Sequence, residues 1–335
     1  MGIDQHGRAI DYLRISVTDR CNLRCLYCMP EEGVAWKPHD AMLTLEEIAH
    51  FVAIAADEGF SRIRLTGGEP LVRLNLVDLV RDISQTPGIE RVAMTTNGIL
   101  LPKHAEALRE AGLSRVNISL DTLDPAQFAH ITRWGAIADV FTGIDTALNV
   151  GFDPVKINAV VVRSLNQDFL AFVKLSLTRP LHVRFIEYMP VGDSQGTDGL
   201  GWNATDTIPN EELIDTINER AKAAGLGKLI PLNNAAKPEG WGPAQYYQLE
   251  GAQGTVGFIS ALSRHFCGEC NRLRMTAEGQ LRPCLFSDLE FDVKGALRSG
   301  DDDEVRRVLH EALSTKPDEH HNQVGTTRLM SQIGG

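Results

Sequence analysis

The sequence predicts an α/β protein, a partial (β/α)6 TIM-type barrel followed by a C-terminal region of short antiparallel strands and helices. Two observations carry this. From Ile10 to about Pro190, β-branched apolar stretches alternate with stretches of helical period, and such regular alternation calls for parallel strands with right-handed crossovers, in an open doubly wound sheet or a barrel. After Pro190 the alternation stops, and short strand-like runs separated by turn residues replace it. The expected division is a barrel over 1–230 and a second region over 231–335.

In chain order, strands are expected at 11–17, 61–66, 91–96, 115–120, 155–162 and 182–188, and helices at 45–58, 74–84, 103–111, 139–150 and 166–177. The first helix has a complete start signal, Thr44 as N-cap with Glu47 three residues on, and it stops at Gly59. Pro102 sits where a first-turn proline is tolerated, and Gly112 and Gly151 close their helices. Residues 191–209 are rich in Gly, Asp and Thr and read as a loop, and a helix at 210–224 ends near Gly225. Short strands are expected at 245–249, 254–259, 272–276 and 280–282, the last two joined by Ala277, Glu278 and Gly279. A helix around 302–315 and a polar tail ending Gly334-Gly335 complete the chain.

The 335 residues carry 33 Lys and Arg against 44 Asp and Glu, a net charge of −11. That balance argues against broad nucleic-acid binding, which needs basic surface to displace phosphate counterions. No apolar run approaches a membrane span, and the first residues lack the charged start and apolar core of a signal peptide. A cytoplasmic protein is expected.

All six cysteines fall into two knots, Cys21, Cys25 and Cys28, then Cys267, Cys270 and Cys284. Without an export signal, thiols at short spacing point to metal or redox chemistry rather than disulfides. Three thiols per knot fall one short of a closed zinc site, whereas an iron–sulfur cluster on three thiolates keeps one iron open. For the second knot alone, zinc completed by a residue such as His265 stands beside iron–sulfur.

The first knot is a Cys-x-x-x-Cys-x-x-Cys loop directly after the first strand, on the active-site face of a β/α fold. After the second strand comes Thr66-Gly67-Gly68-Glu69-Pro70, where two glycines permit close backbone approach and Glu69 can accept from a cationic amine. Lys156 and Asn158 alternate with apolar neighbours on the fifth strand, so both face one side. Arg14, Arg64 and Arg184 are placed similarly on the first, second and sixth strands. Cations converging inside an acidic protein suggest a polyanionic ligand, since arginine forks suit phosphate oxygens. The alternative is internal salt bridging to acids such as Asp121 and Glu187. Arg272 and Arg274 leave the second knot on one strand face.

These motifs resemble those of the GTP 3′,8-cyclase family of molybdenum cofactor biosynthesis, within the radical S-adenosylmethionine (SAM) superfamily. The likeness runs from Arg14 through the stretch around Arg184–Met189 to Gly334-Gly335. It implies two [4Fe-4S] clusters, one held by Cys21, Cys25 and Cys28 and binding SAM, the other held by Cys267, Cys270 and Cys284 in the C-terminal region. It implies a SAM pocket lined by Tyr27, Gly67, Gly68, Glu69, Ser119 and Met189, and GTP contacts from Arg14, Arg64, Thr95, Lys156, Arg184, Arg272, Leu273 and Arg274. Arg14, Arg272, Arg274 and the Gly334-Gly335 tail would act in catalysis. The implied reaction starts with abstraction of the C3′ hydrogen of GTP by a 5′-deoxyadenosyl radical and closes C3′ onto C8, giving (8S)-3′,8-cyclo-7,8-dihydroguanosine 5′-triphosphate. An electron donor, a homodimer and delivery of product to cyclic pyranopterin monophosphate synthase are family expectations. The rival readings are another radical SAM enzyme with an auxiliary cluster, and a zinc or iron–sulfur scaffold without activity.

Overall fold

Period-two alternation sorts the side chains of the barrel strands onto two faces. In β1 (Tyr12–Ser16), Leu13 and Ile15 are fully buried toward the helices, while Tyr12 and Arg14 face inward. The computed structural model describes residues 2–35, 37–189, 191, 204–320, 326 and 328–334. Five further strands follow, β2 (Arg62–Thr66), β3 (Arg91–Thr96), β4 (Leu113–Ser119), β5 (Val155–Val161) and β6 (Leu181–Glu187). Each pairs in parallel with the next, as the alternation predicts.

The helices occupy the outside. α1 (Leu45–Asp57) carries the expected capping box, with Glu47 N donating to Thr44 Oγ1 at 3.1 Å and Thr44 N to Glu47 Oε2 at 2.8 Å. α2 (Leu76–Gln85), α3 (Ala105–Glu110), α5 (Ile137–Asn149) and α6 (Phe169–Thr178) fill the other crossovers. Pro102 sits in a 3-10 turn just before α3, and Gly112 and Gly151 take positive φ at the helix ends. α4 (Pro125–Thr132) is not among the expected helices, although Asp124 caps it by accepting from Gln127 N at 2.6 Å and Pro125 opens it.

The C-terminal strands are β7 (Ile230–Pro231), β8 (Gln245–Gln248), β9 (Thr255–Ile259), β10 (Arg272–Met275), β11 (Gln280–Arg282) and β12 (Phe291–Asp292). The expected hairpin of β10 and β11 is antiparallel, as are β8 and β9. Two pairings were not expected. β10 lies parallel to β1 and β9 parallel to β6, so the sheet runs β12-β11-β10-β1-β2-β3-β4-β5-β6-β9-β8-β7. The physical reason is that a partial barrel ends in two rows of unpaired backbone groups, and β9 and β10 satisfy one row each.

α7 (Asn210–Ala223), α8 (Lys294–Ser299) and α9 (Asp302–Ser314) follow the expected helical stretches or lie between them. The tail forms α10 (Met330–Ile333), whose Ile333 packs with Val191 and Phe286 in a small core of its own. Among the described residues no helix is long and apolar enough to cross a membrane.

Candidate active site

The inward faces of the strands enclose a cavity of about 320 Å³, and all six cysteines line it. Two knots some 240 positions apart in sequence therefore open on one space. Among the described residues no three His, Cys, Asp or Glu side chains gather tightly enough to hold a single metal ion. His265, which the alternative zinc reading offered as a fourth ligand, pairs with Glu319 at 3.1 Å. Thiols that share a cavity without closing on one ion suit a larger inorganic body with several metal centres.

The first knot is fixed by the loops around it. Gly67 (φ 145°) and Gly68 pack on the backbone just before Cys21, where a Cβ would meet Thr18 O at 2.3 Å and Arg20 O at 2.4 Å. Gly68 N and Glu69 N donate to those same two carbonyls, each at 2.8 Å. The two glycines thus serve a close approach of chain to chain. Glu69 is fully buried and accepts from Leu71 N, Thr96 Oγ1 and Asn97 N at 3.0, 2.8 and 2.7 Å. Burial pushes its carboxyl up to about 7. Asn97 in turn donates to Asn22 Oδ1 at 2.7 Å and lies 3.9 Å from Cys21 Sγ. Glu69 is absent from the cavity wall; it connects the ends of β2 and β3 to the cysteine loop. Tyr27 Oη donates to Asp121 at 2.6 Å, and Tyr27, Ser119 and Met189 all line the cavity.

Lys316 and Arg8 bind the second knot together. Lys316 Nζ donates to the carbonyls of Arg272 and Pro283, at 2.8 and 2.7 Å, tying the segment after Cys270 to the one before Cys284. Arg8 Nη1 donates to Cys267 O at 2.6 Å, and Arg8 Nη2 to Pro317 O at 2.6 Å. Lys316 is buried and lines the cavity.

Between the knots lies a cluster of cations. Arg14, Arg64, Lys156, Arg184, Arg272 and Arg274 all line the cavity, with Thr95 donated to by Arg64 at 3.4 Å. The proposed acidic partners are engaged elsewhere. Asp121 accepts from Tyr27 and Val160, and Glu187 from the backbone of Asn210, Leu262 and Ser263. Desolvation first, then Arg184, Arg115 and Arg64, holds Lys156 down to about 6. Burial would raise Tyr12, but Arg64, Arg14 and Arg272 bring it down to about 8. Among the described residues, Arg115 Nε and Nη1, Asn117 Oδ1 and Arg184 Nε are buried without hydrogen-bond partners. Crowded cations with unsatisfied guanidinium donors suit an anion with many oxygens.

Leu273 and Gly334, like Glu69, are absent from this wall. Leu273 is fully buried in the apolar core, because period two turns it away from Arg272 and Arg274. Gly334 is joined to the site through its carbonyl, which accepts from Arg274 Nη1, and a Cβ there would meet Thr66 Cγ2 at 2.5 Å. Gly335 lies outside the described residues.

Several wall residues escaped the sequence reading. Arg115 and Asn117 share the inward face of β4 with Ser119, a period-two signal that was open to use. Trp241 was beyond reach, since it arrives on a Gly- and Pro-rich segment. Its ring lies 4.5 Å from Arg115 Cζ and edge-on to Tyr12, with centroids 5.3 Å apart. Glu239 beside it holds Arg115 Nη2 at 2.7 Å through its carboxylate and Lys156 Nζ at 2.6 Å through its carbonyl.

The model of the radical SAM superfamily matches residues 15–175, and that of Molybdenum Cofactor Synthesis C matches residues 181–322. A relative from Pelotomaculum thermopropionicum named GTP 3′,8-cyclase is 53% identical, over 99% of this chain and 99% of its own length. One of the same name from Heliobacterium modesticaldum is 49% identical, over 99% of this chain and 100% of its own. Among solved structures, Streptococcus suis SuiB bound to S-adenosylmethionine has a TM-score of 0.56 at 15% identity, over 90% of this chain and 68% of that one, a likeness of fold alone.

Proposed function

This chain belongs to the GTP 3′,8-cyclase family of the radical SAM superfamily, and from that premise we propose how its residues divide the work of cyclising GTP, the first step of molybdenum cofactor biosynthesis. The single observation that carries the assignment is the convergence of both cysteine knots and eight lysine and arginine side chains on one cavity. Cys21, Cys25 and Cys28 would hold the [4Fe-4S] cluster that binds SAM, and Cys267, Cys270 and Cys284 the second [4Fe-4S] cluster. When bound, these groups supply an electron and the 5′-deoxyadenosyl radical that starts ring closure between C3′ and C8 of GTP.

The chain's own part is orientation. Tyr27, Gly67, Gly68, Ser119 and Met189 line the cavity that the first knot opens on and would receive SAM, with Glu69 bracing the glycine loop. Arg14, Arg64, Thr95, Lys156 and Arg184 project from five strands and would bind the triphosphate, whose charge relieves their mutual repulsion. Arg272 and Arg274, beside the second knot, would hold the nucleotide across the gap between the knots, and Leu273 contributes only its backbone. The Gly334 carbonyl fixes the Arg274 guanidinium, and the tail packs over the cavity through Met330. Holding the reacting ribose in one pose away from water protects a reactive radical from side reactions. The barrel at 1–230 and the C-terminal region at 231–335 would each bring one cluster. An electron donor and an acceptor enzyme for the product complete the expected partners.

Anaerobically reconstituted protein given SAM, dithionite and GTP should release 5′-deoxyadenosine in step with 3′,8-cyclo-7,8-dihydro-GTP. If 5′-deoxyadenosine failed to rise on adding GTP, the substrate assignment would be wrong.

A further inference from the structure

We propose that the outer face of the Cys21 loop is the docking surface for a one-electron carrier protein with an acidic rim. The inference rests on reading the first knot as the site of a reducible cluster. A second cavity, of about 550 Å³, lies against this loop, and Cys21 is the one cysteine that lines both it and the inner cavity. An electron entering here is a single cysteine ligand away from its destination.

The charge of this cavity is opposite to that of the chain. Arg20, Arg24, Lys37 and Arg73 line it, and Asp19 is the sole acid among its lining residues. Arg24 Nη1 donates to Cys21 O at 2.7 Å, and Arg73 donates to Val17 O and Leu43 O at 3.2 and 2.8 Å. Those carbonyls hold the guanidiniums in place without cancelling their charge. Among the described residues Arg20, Arg24 and Arg73 make no ion pair, whereas Lys37 is paired with Glu278. Leu74, 83% exposed, adds an apolar contact at the rim.

In a chain of net charge −11, an acidic carrier is repelled by most of the surface and drawn to a local basic concavity. Such complementarity sets encounter rate and orientation. The step itself transfers one electron from the reduced carrier to the cluster and makes or breaks no bond. A small-molecule reductant needs no such surface, and this difference provides the test.

Leu74→Glu and Arg20→Glu holoenzymes are compared with wild type, using reduced flavodoxin and, separately, dithionite as reductant. The readouts are bleaching of the cluster absorbance in stopped flow, flavodoxin binding by calorimetry, and 5′-deoxyadenosine formation. Both variants should keep wild-type iron content and dithionite rates. Flavodoxin binding and flavodoxin-driven reduction should fall about tenfold or more, and added salt should slow only the flavodoxin reaction of the wild type. Unchanged flavodoxin kinetics in both variants would overturn the proposal, as would an equal loss with both reductants, which would mean that the substitutions act on the cluster. A salt-insensitive wild-type reaction, or self-association lost in the variants, would mean that another partner, such as a second copy of this chain, uses this face. Failure of the dithionite reaction in wild type would instead remove the function on which the proposal rests.

Discussion

Around Cys21, Cys25 and Cys28 the surroundings are hostile to negative charge. Burial leads, raising Cys21 to about 11 and Cys28 to about 12, and Glu69 and Asp121 add repulsion. Around Cys270 burial also raises the thiol, but Lys316 and Arg272 outweigh it and the balance is downward. Both knots have three thiols and share a cavity, yet Glu69 and Asp121 add to burial at the first, whereas at the second burial and neighbouring thiols raise Cys267 while Lys316 and Arg272 bring Cys270 down. The difference fits what each would receive: a zwitterionic, sulfonium-bearing molecule tolerates neighbouring carboxylates, whereas a polyanionic nucleotide calls for cations. Cluster chemistry is supplied by the inorganic group, and selectivity between ligands by the charges the chain sets around it.

The largest effect should come from emptying one knot at a time. Cys25→Ala should lose about half the iron and all SAM cleavage. Cys284→Ala should also lose about half, but keep slow cleavage uncoupled from GTP. Iron analysis with 5′-deoxyadenosine measurement checks both, and full iron in either variant would sink the ligand assignment. Next, Lys316→Met removes the bond between the two segments of the second knot, and iron retention there should weaken by roughly 10–100-fold with the first knot intact. Equal loss from both knots would erase the contrast.

A smaller effect lies between the knots. Burial, with Arg184, Arg115 and Arg64 adding repulsion, holds Lys156 near 6, and phosphate oxygens would raise it. Between that value and the raised one, bound lysine carries a proton that free lysine lacks. Nucleotide binding therefore takes up a proton, and affinity declines with rising pH by at most about tenfold per unit. Calorimetry in two buffers of different ionisation enthalpy measures the uptake, which Lys156→Met should abolish. Smallest is a control remote from both knots: Thr44→Ala should cost about 1 kcal/mol in denaturant unfolding through loss of the α1 cap, with iron content and nucleotide affinity unchanged.

The barrel was legible because its signals are local. Periodicity placed β1 to β6, and Thr44 with Glu47 marked the start of α1. The parallel pairing of β9 with β6 and of β10 with β1 was hidden because the partner of a short strand is decided by which edge lies open in the fold, not by its own letters. At the site, inward residues such as Arg14 and Lys156 could be read from alternation. The same rule, applied consistently, adds Arg115 and Asn117 and sets aside the Leu273 side chain. Glu69 carried the right motif, but its buried side chain braces Asn97 instead of facing the cavity. Trp241 and Glu239 stayed invisible because they reach the cations on a loop with no periodicity.

The paired edges β10 on β1 and β9 on β6 bear on motion as well as on shape. A joint crossed by a continuous hydrogen-bonded ladder cannot act as a hinge, since opening it would expose a row of buried peptide groups together. The spacing between the strands that lead into the first knot and out of the second is therefore set by the sheet. Grafting the C-terminal region onto another barrel would succeed only if β9 and β10 kept register with both recipient edges, so this architecture evolves by changing side chains in place more readily than by exchanging modules.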